Sequence, residues 1–277
     1  MMRLRVSYSA AASIVNPTGA LPRRENVKAK EMKQMENQRT RRIIPISQSS
    51  TAGLDTMGVS IVVDIVFIID GTGSMQNALD NVTSRALQMR PLVIKGLKGH
   101  SRNVTKMRVK VVVFRDLFVD ANAYEESEFF TLPEEAEQFR DYVEQIKAQG
   151  GGDEPESALE ALWRVMKYTE FQQSIGTQKA RHVLVVMTDA SGHRLDDPQR
   201  EGDPLYPSDV PDKLSGIEAQ WQRMNHDARR LIITAPNSWP WVEMSLWSNV
   251  NYHTTDQGKG ISSEVMDNII AYISGSF

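Results

Sequence analysis

The sequence predicts an α/β fold with a doubly wound, mostly parallel central sheet and helices on both faces. One observation is the run IVFII at residues 65–69, which is apolar and β-branched or aromatic, without polar alternation. Such a run is typical of a strand that is covered on both faces. The second observation is that further apolar runs alternate with amphipathic helical patterns along the chain. This alternation indicates parallel strands joined by helical crossovers.

The first half of this pattern begins with a strand at 60–69 and a helix at 75–90, whose apolar residues recur at helical spacing. A second buried strand is predicted at 107–114 and a short antiparallel edge strand at 127–132. The segment 133–149 starts with proline, has an acidic first turn and carries a late lysine, which favours a helix.

The second half continues the alternation after a glycine-rich break. The sequence predicts a helix at 154–168, a strand at 181–188, a helix at 210–227, a strand at 230–235, a short helix at 239–247, a strand at 249–254 and an amphipathic helix at 261–274. Parallel sheets of this kind bind ligands at the carboxyl ends of their strands.

The first 58 residues differ in charge from the remainder of the chain. They carry 10 Lys and Arg against 4 Asp and Glu, a net charge of +6, whereas residues 59–277 carry 22 against 31, a net charge of −9. We therefore expect a basic N-terminal extension and linker at 1–58 and one domain at 59–277. Within the extension, a short polar helix at 27–42 and an edge strand at 43–46 are predicted. The composition favours a solvated, partly disordered arm, and the alternative interpretation is a docking arm for an acidic partner.

Composition limits the classes of function. The chain contains no cysteine, so disulfides, thiol nucleophiles and thiolate metal sites are excluded. The lack of cysteine favours an intracellular, cytoplasmic protein. No apolar run has the length of a membrane span, and the net charge of −3 does not indicate a nucleic-acid-binding protein.

An acid, two glycines and two hydroxyls follow the first predicted strand directly. Asp70, Thr72 and Ser74 are spaced two residues apart, and Gly71 and Gly73 between them allow a sharp turn. Carboxylate and hydroxyl oxygens are the hard ligands that Mg²⁺ and Mn²⁺ prefer. The stretch therefore predicts a metal site.

Other interpretations of this stretch lack a required residue. A dinucleotide-binding fingerprint needs a third glycine where Gln76 stands, and a phosphate-binding loop needs a lysine that is absent here. An aspartyl phosphatase of the haloacid dehalogenase kind needs a nucleophilic aspartate where Ile68 stands. The simplest alternative, a strand followed by a helix capped by Ser74 or Thr72, remains open.

Two more loops place oxygen ligands after predicted strands or before helices. The first of them, QGGGDEPESAL at 149–159, contains three glycines before Asp153. The second, MTDASGH at 187–193, places Asp189 just after a buried strand. Each acid could be only a helix cap or a turn residue. Three such loops at the same edge of one sheet predict a shared site.

Together these motifs resemble the von Willebrand factor type A domain with its metal-ion-dependent adhesion site (MIDAS). The order of strands and helices extends the resemblance over roughly residues 60–274. The patterns DGTGSM and GGGDEPE are similar to intracellular and hemicentin-like members rather than to integrin inserted domains. The resemblance implies that Asp70, Thr72, Ser74 and Asp189 hold Mg²⁺ or Mn²⁺.

The chain departs from the family at two positions. Asp153 stands where many members have threonine, and Ala190 follows Asp189 where many have glycine. If Asp153 also holds the metal, the site has three carboxylates, so its metal affinity should rise and its attraction for an incoming carboxylate should fall. In the family, an Asp or Glu of the partner commonly completes the coordination of the metal.

Four further residues are candidates for contact with a partner. Gly71 and Gly73 belong to the first loop, His193 lies four residues after Asp189, and Arg115 ends the second strand. Their alternative roles are ordinary: a solvated histidine, and an ion pair between Arg115 and its neighbour Asp116.

The resemblance implies a non-enzymatic, metal-dependent protein-binding module in an intracellular assembly, since such members often work beside ATPases, kinases or phosphatases in bacterial operons. One alternative is a metal-dependent hydrolase of phosphate esters. Another is a structural metal site with the basic arm as the binding element.

Overall fold

The computed structural model describes residues 59–96, 102–151, 154–200 and 206–275. The predicted elements at 27–46, and with them the extension 1–58, lie outside these residues. Within the described ranges, seven strands form one sheet: β1 (Val59–Asp70), β2 (Arg102–Phe114), β3 (Tyr124–Glu126), β4 (Phe130–Leu132), β5 (Lys179–Met187), β6 (Arg229–Pro236) and β7 (Val250–Thr255).

Seven α-helices flank this sheet in the same part of the chain. They are α1 (Gln76–Arg85), α2 (Met89–Gly96), α3 (Ala136–Gln145), α4 (Ala158–Tyr168), α5 (Leu214–Arg223), α6 (Trp241–Met244) and α7 (Ser263–Gly275). No helix among the described residues is both long and apolar enough to cross a membrane.

The strand order is β3-β2-β1-β5-β6-β7, and β4 also pairs with β2. The pairs β2–β1, β1–β5, β5–β6 and β6–β7 are parallel, whereas β3 and β4 run antiparallel to β2. The chain leaves β1 toward β2 on one side and returns to β5 on the other, so the order reverses beside β1. The predicted doubly wound α/β fold is confirmed.

The two faces of the sheet bury separate cores because side chains alternate along each strand. Ile65, Phe67 and Ile69 of β1 pack under α1, α2, α3 and α7. Val66 and Ile68 pack on the opposite face under α4, α5 and α6. Full coverage of both faces explains why β1 lacks polar alternation.

The predicted edge strand at 127–132 is interrupted. Ser127 donates its N–H to Val111 O and accepts the Val111 N–H on its own Oγ at 3.0 Å. A side-chain oxygen thus takes the place of a backbone carbonyl in the ladder. The edge therefore consists of two short strands, β3 and β4.

The predicted helix at 75–90 is also divided, into α1 and α2, with a 3₁₀ turn at Ala86–Gln88 between them. Pro91 has no N–H to donate to the residue one turn earlier, so an unbroken helix would lose that bond. Pro91 instead occupies the first turn of α2, where proline is tolerated.

Candidate metal-binding site

The first loop, residues 70–75, is organised by hydrogen bonds to Asp70 at the end of β1. Asp70 is fully buried. Its Oδ1 accepts the Thr72 N–H at 2.9 Å and the Thr72 hydroxyl at 2.6 Å, and its Oδ2 accepts the Thr188 hydroxyl at 2.7 Å. Asp70 therefore connects the first loop to the end of β5.

Burial raises the pKa of the Asp70 carboxyl, the hydrogen bonds from Thr72 and Thr188 oppose that rise, and the nearby Asp189 adds to it. Asp189 is 2% exposed. Among the described residues, neither acid forms an ion pair with Lys, Arg or His. Two neighbouring buried carboxylates thus lack a compensating positive charge, which is costly unless a cation binds.

The third loop, residues 188–193, is joined to the first loop by Ser74. The Ser74 hydroxyl donates to Asp189 Oδ1 at 3.0 Å. Because the hydroxyls of Thr72 and Ser74 give their protons to carboxylates, the lone pairs of both oxygens remain available for a cation. This arrangement suits a hard metal ion.

A cleft of about 250 Å³ opens at this edge of the sheet, and the residues that line it include no cationic side chain. Its lining residues are Thr72, Gly73, Ser74, Gly150, Gly151, Glu154, Glu156, Asp189, Ala190 and Gly258. Asp70 lies behind Thr72 and is not in the lining. The structure therefore brings Thr72, Ser74 and Asp189 to the cleft, and Asp70 accepts hydrogen bonds from Thr72.

The second loop, residues 146–157, crosses over Thr72. Gly150 and Gly151 have φ angles of +80° and +72°, which favour glycine. A Cβ on Gly151 would lie 2.7 Å from the Thr72 side chain. Asp153 lies outside the described residues, so its place in the site stays a prediction. In the described part of the chain, no three His, Asp or Glu side chains cluster as metal ligands.

Sequence reasoning missed Glu154 and Glu156 because the segment was assigned to the following helix. Glu156 pairs in a β-bridge with Gly192, so α4 begins only at Ala158. Both acids consequently face the cleft. Their position in a glycine-rich, acidic loop was the available signal.

Gly71 and Arg115, predicted to contact a partner, are buried instead. The Arg115 guanidinium donates to four backbone carbonyls, those of Gly71, Asn122, Lys147 and Gln149. The alternative of an ion pair between Arg115 and Asp116 is therefore wrong. The Arg115 guanidinium instead donates hydrogen bonds to backbone carbonyls of three loops. Arg115 positions the first and second loops. Gly73, the second glycine of the first loop, is exposed and lines the cleft.

His193 is 8% exposed and lies behind the cleft. Its Nε2 lies 2.9 Å from Asp116 Oδ1, and its backbone N–H donates to Glu156 O at 3.0 Å. The prediction that His193 contacts a partner is corrected, because these bonds keep its ring inside the protein. His193 holds the second and third loops together.

A fourth loop that the sequence did not indicate, residues 256–262 between β7 and α7, closes over Asp189. Gly260 N–H donates to Asp189 Oδ2 at 2.7 Å, and Gly258 N–H donates to Asp189 O at 3.0 Å. Gln257 donates from its amide to Glu154. Asp189 is thus held from both the first and the fourth loop.

Gly260→Ala is expected to destabilise the protein and weaken metal binding. The φ angle is +67°, and the added Cβ would lie 2.6 Å from Ser74 O, so we expect a loss of about 1–3 kcal/mol in the free energy of unfolding. Urea denaturation and Mg²⁺ calorimetry measure the two effects. Gly176→Ala is the control, with a φ of +58° and open space; equal behaviour of both variants in both assays would contradict the prediction.

The family model of the von Willebrand factor A domain matches residues 64–199. Among solved structures, the pilus adhesin SpaC from Lactobacillus rhamnosus GG is 12% identical with a TM-score of 0.46, over 78% of this chain and 31% of that chain. Proximal thread matrix protein 1 from the mussel byssus is 10% identical with a TM-score of 0.46, over 79% and 47%. A further structure of that mussel protein has a MIDAS motif occupied by zinc.

The chain spans less than half the length of these two solved structures, and no curated protein matches its sequence. Asp70, Thr72, Ser74 and Asp189 all lie inside the segment that the family model matches. Residues 64–199 therefore form a segment that matches the von Willebrand factor A domain, and the doubly wound sheet is consistent with that fold.

Proposed function

We propose that this chain is a protein-interaction module that binds its partner through a divalent metal at the cleft. One observation carries the proposal: the buried carboxylates of Asp70 and Asp189 lie close together, unpaired with any described Lys, Arg or His, beside hydroxyls that open onto an oxygen-lined cleft. A bound cation would compensate this charge.

The donor set supports Mg²⁺ or Mn²⁺, because all its atoms are hard oxygens. Thr72, Ser74 and Asp189 would hold the ion, and Asp70 would orient Thr72. The metal would supply a positive charge to which an Asp or Glu of a partner binds. Asp153 is proposed as a third carboxylate of the site.

We also propose that the domain belongs to the intracellular and hemicentin-like group and works in the cytoplasm, within an assembly linked to an ATPase, kinase or phosphatase. The motifs DGTGSM and GGGDEPE and the lack of cysteine support this setting.

A role without catalysis is supported by the placement of His193, a residue type that often acts as a general base in hydrolases. His193 is engaged with Asp116 and is not among the residues that line the cleft. A hydrolase that used His193 as its general base would need the His193 ring within reach of a metal-bound water. We propose that the chain is not an enzyme.

The proposal is tested by capturing proteins from a native lysate on the immobilised chain in Mg²⁺ or in EDTA. Thr72→Val keeps the side-chain shape but removes the hydroxyl, and Thr83→Val on α1 is the matched control. We expect partners to be retained by the wild type and the control in Mg²⁺, and to be lost in EDTA and with Thr72→Val.

Two parallel assays separate the alternatives. Turnover of p-nitrophenyl phosphate that disappears with Thr72→Val would replace the proposal with a hydrolase. Capture that survives EDTA but disappears on removal of residues 1–58 would assign binding to the basic arm.

A further inference from the structure

A second recess lies at the amino ends of the parallel strands, whereas the candidate metal site lies at their carboxyl ends. It has a volume of about 350 Å³ and is lined at the amino ends of β5 and β6 by Lys179, Arg181 and Arg230, together with Ser174, His226 and Asp227. This volume is at the lower end of the range of about 300–1,000 Å³ for small-molecule sites. Three permanent cations therefore converge on a space that could hold a small ligand.

These cations lack acidic partners. Among the described residues, no carboxylate lies within 4.0 Å of Lys179, Arg181 or Arg230. Arg181 Nε is buried and has no hydrogen-bond partner. Asp227 also lines the recess, and its exposed carboxylate lies 3.5 Å from His226 Nδ1. The recess thus has three cationic side chains against one carboxylate, and that carboxylate forms an ion pair with none of the three.

The neighbouring cations also affect the pKa of Arg181. Burial lowers the pKa of its guanidinium, the charges of Arg230 and Arg102 lower it further, and Asp227 opposes this decrease. Residues 59–277 carry a net charge of −9, yet among the described residues no acid forms an ion pair with Lys179, Arg181 or Arg230. A bound anion would remove the repulsion between the guanidinium groups.

Phosphate is the anion that fits the donors best. Arginine binds phosphate oxygens through paired N–H groups, and lysine adds a point charge. Ser174 Oγ already accepts the Ala180 N–H at 2.9 Å, so its hydroxyl proton remains free to donate to a ligand. We propose that this recess binds a small phosphorylated solute, with its phosphate held by Lys179, Arg181, Arg230 and Ser174. The site is independent of the proposed metal-dependent function.

The test titrates the full chain with inorganic phosphate at constant ionic strength and records ¹H–¹⁵N spectra. EDTA is present, so that phosphate does not bind through a metal at the other edge. We expect saturable shifts confined to the residues of the recess. Arg181→Gln should weaken the affinity at least about tenfold, because it removes charge-assisted hydrogen bonds. Arg140→Gln, which removes an exposed charge on α3, should leave the affinity unchanged.

A stability measurement separates a binding site from a structural role. Without phosphate, Arg181→Gln should be at least as stable as the wild type, because it removes a disfavoured buried charge. Small, non-saturating shifts that are equal in all three proteins would overturn the proposal. The proposal would also be overturned if the protein sedimented with phosphatidic acid vesicles but did not bind inorganic phosphate. The ligand would then be a membrane surface. A large loss of stability in Arg181→Gln without phosphate would assign Arg181 to structure and also overturn it.

Discussion

Asp189→Asn is expected to abolish saturable Mg²⁺ binding without lowering the stability of the metal-free protein. The asparagine oxygen can still accept the Gly260 N–H, and its amide can donate to Ser74 Oγ. The substitution also removes the repulsion between Asp189 and Asp70, which raises the pKa of Asp70. The metal-free variant should therefore be as stable as the wild type or more stable.

The same variant should lose the stabilisation that metal provides. At a metal concentration about 100 times Kd, binding to the folded state adds about 2.7 kcal/mol to the free energy of unfolding. We expect this gain in the wild type and none in Asp189→Asn, as measured by urea denaturation with and without Mg²⁺.

Asp256→Asn is the matched control, since Asp256 is exposed and is not among the residues that line the cleft. It should keep the full gain from metal. An equal gain from Mg²⁺ in Asp189→Asn and the wild type would refute the assignment of Asp189 to the metal site.

Asp64→Ala is expected to cause the largest loss of stability, about 3–5 kcal/mol. Asp64 is fully buried in β1. Its two oxygens accept a paired interaction from Arg108 at 2.8 Å each and two hydrogen bonds from Gln172 at 2.7 Å. Removal of the carboxylate leaves the Arg108 guanidinium, packed on the Phe129 ring, without its anion.

The midpoint of urea denaturation and its slope measure this loss. Asp267→Ala is the control, because the pair between Asp267 and Arg85 is exposed and should contribute less than about 1 kcal/mol. The double variant Asp64→Leu with Arg108→Leu should recover part of the loss, since no charge is then left unpaired. A loss below about 1 kcal/mol in Asp64→Ala would show that the pair is not important for stability.

The central strands β1, β5 and β6 were predictable because they are covered on both faces, whereas β2 begins at Arg102, before its predicted start at 107, in a part that is largely exposed. Strands covered on both faces carry uninterrupted apolar runs, and the boundaries predicted for β1, β5, β6 and β7 differ from the observed ones by one or two residues. Helix ends were less predictable. Tertiary contacts decide them, as where the pairing of Glu156 with Gly192 delays the start of α4.

The candidate site was predictable where its oxygen-bearing residues lie close together in the sequence. Asp70, Thr72 and Ser74 lie within five residues, and the strand before them places them at the binding edge of the sheet. Contacts between distant segments were not predictable. Arg115 and His193 occupy suggestive positions in the sequence, but burial and backbone hydrogen bonds make them positioning residues.

Local apolar patterns and turn residues in the sequence encode the fold class, the order of the elements and the candidate oxygen ligands of the first and third loops. Only the tertiary structure decided that Asp70 lies behind Thr72, that Gly260 holds Asp189 and that Lys179, Arg181 and Arg230 converge at the opposite edge. These features depend on the burial and charge of residues far apart in the chain, which no local pattern records.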